Sequence, residues 1–118
     1  MKRAFRRWLP LLAVGVVLLG AGLSARPVPE FFPRQDKLHH GLGFLAFGWV
    51  LLWAFPRLGL VGSLVVGGLL ALAIEAGQAA WLPARTASPW DVFAGLLGVW
   101  LGWACWRLST RRAMPRPQ

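Results

Sequence analysis

Four long apolar stretches, separated by three short polar breaks, make up most of this chain. They cover roughly residues 8–25, 38–55, 59–82 and 90–108. Each is close to the ~20 residues that carry a helix across ~30 Å of hydrocarbon. A backbone without water to bond must satisfy itself, which leaves helices and closed barrels. These stretches are too continuous for barrel strands, whose residues alternate in polarity. The breaks read "RPVPEFFPRQD", "PRLG" and "PARTASP". Pro27, Pro29, Pro33, Pro56, Pro83 and Pro89 fall in or beside them, where a missing N–H does least harm. The pattern predicts an all-α, polytopic membrane protein with four transmembrane helices in one domain over residues 1–118.

Composition supports that class and charge gives it a direction. The chain is 57% hydrophobic and 14% charged, against about 25% charged for a soluble domain. A formal net charge of +9 invites a nucleic-acid reading. The basic residues flank apolar spans, however, and leave no soluble basic face for a duplex, so no nucleic-acid partner is expected. Lys2, Arg3, Arg6, Arg7, Arg57, Arg107, Arg111, Arg112 and Arg116 fall on one side of the expected membrane. By the positive-inside rule that side is cytoplasmic, with both termini. The other side holds Arg26, Arg34, Lys37 and Arg85, balanced by Glu30, Asp36, Glu75 and Asp91. Trp8, Trp53 and Trp106 sit near the inner interface, Trp81 and Trp90 near the outer one. "MKRAFRR" and "GLSA" also resemble a signal peptide's basic start and cleavage site, but the apolar run is long for one, so retention is expected. Cys105, the single cysteine, reads as a small buried hydrophobe.

The spans are not plain anchors. Glu75 lies about 10 Å inside the third helix by helical rise. An ionised group near mid-membrane costs about 2.5–3.5 kcal/mol even on the lenient scale, and such residues by default mark function. Gly68, Ala71, Glu75 and Gln78 share an arc of about 80°, a small-residue stripe ending in a polar pair that faces other helices. Asp91, Gly95, Gly98 and Gly102 share about 60° of the fourth helix, with Ser88 as N-cap and Pro89 at the first position. On the second helix Asp36, His40, Gly43 and Phe47 share about 60°, while His39 points about 100° away. An Asp four residues before a His can fix its tautomer. His40 is thus allied with Asp36, and His39 reads as a bystander. All three faces meet at the outer side, where Arg85 also belongs.

These residues resemble the VanZ-like family of bacterial integral membrane proteins. "DKLHHGLGF" is similar to that family's Asp-Lys-x-x-His-x-x-x-Phe motif, and "EAGQAAWLPARTASPWDVFAGLLG" to its Glu-x-x-Gln followed by Pro-x-Arg, Ser, Asp and Asn-x-x-Gly. The matching positions are Asp36, Lys37, His40, Phe44, Glu75, Gln78, Pro83, Arg85, Ser88, Asp91 and Gly98. The motif region runs over residues 36–100. The family's Asn is Gly95 here, so that polar group is lacking or replaced by water. The resemblance implies a small multi-pass protein of the bacterial cytoplasmic (inner) membrane and cell envelope. It also implies a family-level link to resistance against the glycopeptide teicoplanin. It implies neither an enzyme nor resistance conferred by this chain.

Three functions follow as expectations. In the first, an extracytoplasmic polar site binds or modifies an envelope lipid or a lipid-linked cell-wall precursor. His40, oriented by Asp36, is its acid or base, and Glu75 a second proton carrier. Arg85 and Lys37 hold a phosphate, with Gln78 and Asp91 as further binding groups. In the second, the same cluster is a non-catalytic network that fixes helix packing while the protein contacts envelope machinery. The third is a proton-coupled carrier using Glu75, for which four helices and no internal repeat leave little room. Imidazole and carboxylate at His40, Glu75 and Asp91 suit a divalent cation. Spacing alone does not establish one, so no metal or cofactor is assigned. No phosphate loop, nucleophile elbow or paired-histidine zinc motif is present.

Overall fold

The computed structural model describes the backbone of residues 2–23, 31, 35–82 and 88–113, with side chains from residue 6 in the first helix, from 38 in the second and to 111 in the last. The described residues are all-helical, without strands. Four helices follow in order: α1 (Lys2–Gly22), α2 (Gln35–Ala54), α3 (Gly59–Trp81) and α4 (Pro89–Ala113). A single 3-10 turn, Pro56–Leu58, joins α2 to α3. Their cores match the apolar stretches, but α1 and α4 extend into basic sequence. Helical hydrogen bonds do not need apolar side chains, so charged turns continue where apolarity ends. Pro10 sits inside α1, a placement that transmembrane helices tolerate more often than soluble ones.

The α2–α3 connection is tight. The Phe55 N–H donates to the Leu51 carbonyl at 2.8 Å and closes α2. Pro56 opens the 3-10 turn, and Gly59 leaves it with φ +68°, a left-handed conformation suited to glycine. Ser63, fully buried, returns its hydroxyl to the Gly59 carbonyl at 2.7 Å. That bond satisfies a hydroxyl which would otherwise be costly in an apolar interior.

Around the bundle the helices run α1, α2, α4, α3, with α2 against α4 the most extensive pairing and α1 against α3 the sparsest. α2 and α4 run parallel, because Gly41 lies by Ala94 and Gly98, while Leu45 and Trp49 lie by Gly102. A Cβ on Gly98 would strike the Gly41 carbonyl, and one on Gly102 the Leu45 carbonyl. Gly48 faces the Val99 backbone, its Cβ position 3.0 Å from that carbonyl oxygen. Backbones this close need small residues, the usual device for joining helices in hydrocarbon. Phe44, Phe47, Leu51, Ala71, Ile74 and Val99 form the core between them.

Among the described residues, two helices are long and apolar enough to cross a membrane, Pro56–Trp81 (with the 3-10 turn) and Pro89–Arg111; Leu38–Ala54 is apolar but shorter. Only 22% of each apolar window is buried inside the protein, whereas a soluble core helix would be mostly covered. Val61, Leu69, Leu72, Phe93, Leu97 and Trp100 face outward instead. At ~1.5 Å per residue the 23 residues of α3 reach about 35 Å.

Candidate functional site

α1 and α3 end where α2 and α4 begin, and the polar residues gather at that end. His40 comes from the second turn of α2, Glu75 from α3 before its last turns, and Asp91 from the first turn of α4. One ligand atom from each lies within 4.8 Å of the other two. The glycine contacts explain the approach. Gly41, beside His40 in sequence, touches α4 through the Gly98 position, so the imidazole is carried next to Asp91.

Asp91 is placed by the start of its helix. Ser88 precedes Pro89, and its hydroxyl accepts the Trp90 N–H at 3.3 Å while its carbonyl accepts the Asp91 N–H at 3.0 Å. This is the N-cap expected from "SPWD", with proline where a missing donor costs nothing. Glu75 is placed by the same residue. The Ser88 backbone N–H donates to Glu75 Oε2 at 2.7 Å and ties the start of α4 to α3. Asp91 is 4% exposed and Glu75 9%. Burying two carboxylates is costly unless charge and hydrogen bonds compensate. The Ser88 N–H, the positive end of α4 and the His40 imidazole all contribute here.

His40 is half-buried and His39 exposed, as the helical phase requires. The side chains of Asp36 and Lys37, and all of Pro83 and Arg85, lie outside the described residues. Gln78 is 1% exposed, and its Nε2 donates to the Gly22 carbonyl at 2.6 Å. Its amide thus caps α1, satisfying one of the carbonyls a helix end leaves over. Replacing Gln78 with leucine should loosen α1 from α3 and lower stability by about 0.5–1.5 kcal/mol, the range for one buried bond. Hydrogen exchange should quicken in the last turn of α1 and stay unchanged in α4. Unchanged exchange in both would return Gln78 to the pool of ligand-binding groups.

Comparison of the chain with family models, curated proteins and solved structures finds no match. An imidazole between two carboxylates can pass a proton or, with both carboxylates ionised, hold a cation. Ser88 is a poor nucleophile candidate, since its hydroxyl is engaged as a cap. The space beside Gly95 is filled rather than open to water. A Cβ there would lie 3.2 Å from the Phe44 ring, so the ring closes over that position.

The bundle also carries an open apolar groove of about 550 Å³ on the sparse α1–α3 side. Leu12, Val16 and Leu19 of α1 face Val66 and Leu70 of α3 across it, with Phe47 of α2 in its floor. Leu70 is about 7.5 Å of helical rise from Glu75. The groove and the polar cluster are separated by the layer of Phe44, Ala71 and Ile74. Neither this groove nor the Gln78–Gly22 and Ser88–Glu75 bonds was named by the sequence. The acceptor and donor concerned are backbone atoms, which side-chain patterning does not mark.

Proposed function

We propose that this chain is a VanZ-like protein of the bacterial cytoplasmic membrane. It crosses four times with both termini inside, and its polar cluster faces the extracytoplasmic side. There it binds or modifies an envelope lipid or a lipid-linked cell-wall precursor. The observation that carries the reading is the convergence of His40, Glu75 and Asp91 within 4.8 Å at one end of a bundle with an apolar exterior. These residues come from two motif pieces far apart in sequence, and three helices bring them together. A titratable cluster so expensive to keep in hydrocarbon is the kind that marks a site. Among the described side chains, Arg6, Arg7, Arg57, Arg107 and Arg111 are exposed and lie toward the opposite end of the helices. That asymmetry supports the orientation. The exposed apolar faces of the helices support a lipid as the partner, since an acyl chain needs such a surface.

The test is a comparison of lipid extracts from cells carrying the wild-type chain, no chain, Glu75→Gln, His40→Ala or Arg85→Ala. An envelope lipid or precursor should change with the wild type alone, at equal membrane abundance of all variants. Extracts identical across the set would remove the proposal. A fall in abundance with each variant would favour the second reading.

That second reading is a non-catalytic scaffold whose polar groups fix packing while an outer face meets envelope machinery. The Gln78–Gly22 and Ser88–Glu75 bonds favour it, because each ties one helix end to a neighbour.

A further inference from the structure

We infer that His40, Glu75 and Asp91 form a binding site for one divalent transition cation of the zinc or manganese class. Three observations converge. The first is ligand geometry. Bonds of about 2.0–2.2 Å place ligand atoms across a metal about 4.0–4.4 Å apart, and closer at smaller angles. The three side chains already bring ligand atoms within 4.8 Å of one another, so small rotamer changes close the site. The second is rigidity. Each ligand stands on a different helix, and glycine contacts hold α2 and α4 at backbone distance beside His40. Ser88 N–H fixes Glu75 through Oε2 at 2.7 Å, the outer-shell orientation that metal ligands usually have. The third is charge. Two carboxylates held this close and this deep repel each other when both are ionised, and a divalent cation turns that repulsion into attraction.

The donor set also selects among cations. Imidazole with carboxylate suits zinc, manganese or iron, whereas magnesium and calcium favour all-oxygen shells. Three protein ligands leave a further position open, as in catalytic rather than structural metal sites. A phosphate or carbonyl oxygen is the kind of ligand that would fill such a position. This inference does not depend on the envelope-lipid reading, since metal binding can be measured on the protein alone.

The test uses the full chain, purified in detergent after chelation, in a Cys105→Ser background, because the Cys105 thiol is exposed on α4 and not buried as its apolar setting suggests. Equilibrium dialysis against zinc and against manganese, read by elemental analysis, should give one equivalent bound. His40→Ala, Glu75→Gln and Asp91→Asn should each weaken binding by roughly 100-fold or more, beyond the 10–100-fold typical of an outer-shell group. His39→Ala, on the exposed face, should leave it unchanged. Cobalt in place of zinc adds a visible spectrum that reports the same site, and thermal unfolding confirms that each variant is folded. Wild-type protein that stays metal-free would overturn the inference. So would stoichiometric binding that survives in folded Glu75→Gln and His40→Ala. Binding that appears only in Arg85→Ala would overturn it too, by showing that the chain's own guanidinium fills the place.

Discussion

Gly98→Leu is expected to abolish cooperative folding of the bundle. At Gly98 even a single Cβ would strike the Gly41 carbonyl and come within 3.0 Å of the Leu45 nitrogen. Both obstacles are backbone, so no side-chain rotation relieves them. Gly98→Ala gains about 1 kcal/mol of helix propensity and loses about 1–3 kcal/mol or more to overpacking. With the neighbour immovable, the loss wins. Leucine adds three more carbons at the same point and forces α2 away from α4, the most extensive contact in the protein. Separation would also withdraw His40 from Asp91. Gly20→Ala is the control, because among the described residues no atom beyond its own helical turn lies within 4 Å of its Cβ position. The eight tryptophans give a fluorescence signal for unfolding in SDS mixed micelles. Gly98→Leu should show no cooperative transition, Gly98→Ala a lowered midpoint, and Gly20→Ala a midpoint equal to wild type or slightly higher. A wild-type transition in Gly98→Leu would mean that α2 and α4 do not meet along this track.

The glycine track lies at the limit of what helical phase specifies. Helical phase placed Gly95, Gly98 and Gly102 on one face with Asp91, and all four are buried. The phase of one helix cannot say which neighbour its face meets. Gly41 and Gly48, the matching positions on α2, fall in a stretch where hydropathy is nearly uniform around the helix. The same limit applies at the site. Periodicity turned His40, Glu75 and Asp91 toward other helices and His39 away. Only tertiary packing puts their ligand atoms together, and only it supplies Ser88 N–H as a partner of Glu75. Helix ends were legible where Pro or Gly punctuates, as at Pro56–Gly59 and Pro89. They were not legible where a helix simply leaves the apolar region, as at Lys2 and Ala113.

Phe44→Ala is expected to be the costliest change among the apolar core positions. The ring is 0% exposed, packs edge-on to Phe47 with centroids 6.2 Å apart, and covers Gly95. It also lies one turn below His40, between the polar cluster and the apolar core. In water-soluble proteins a buried Phe→Ala costs about 3–5 kcal/mol. Part of that is transfer from water, which is reduced when the unfolded chain stays in hydrocarbon. The cavity and lost contacts remain, so about 2–3 kcal/mol is expected here. Phe44→Leu should cost less, since it refills much of the space. The decisive measurement is a double-mutant cycle with Gly95→Ala. In wild type that substitution meets the ring at 3.2 Å and requires the ring to shift by a few tenths of an ångström. In Phe44→Ala the same methyl enters open space and gains helix propensity. The two changes should therefore be less damaging together than their sum, with a coupling of about 0.5 kcal/mol or more. Strict additivity would mean that the ring and Gly95 are not in contact, and the floor of the polar cluster would need to be redrawn.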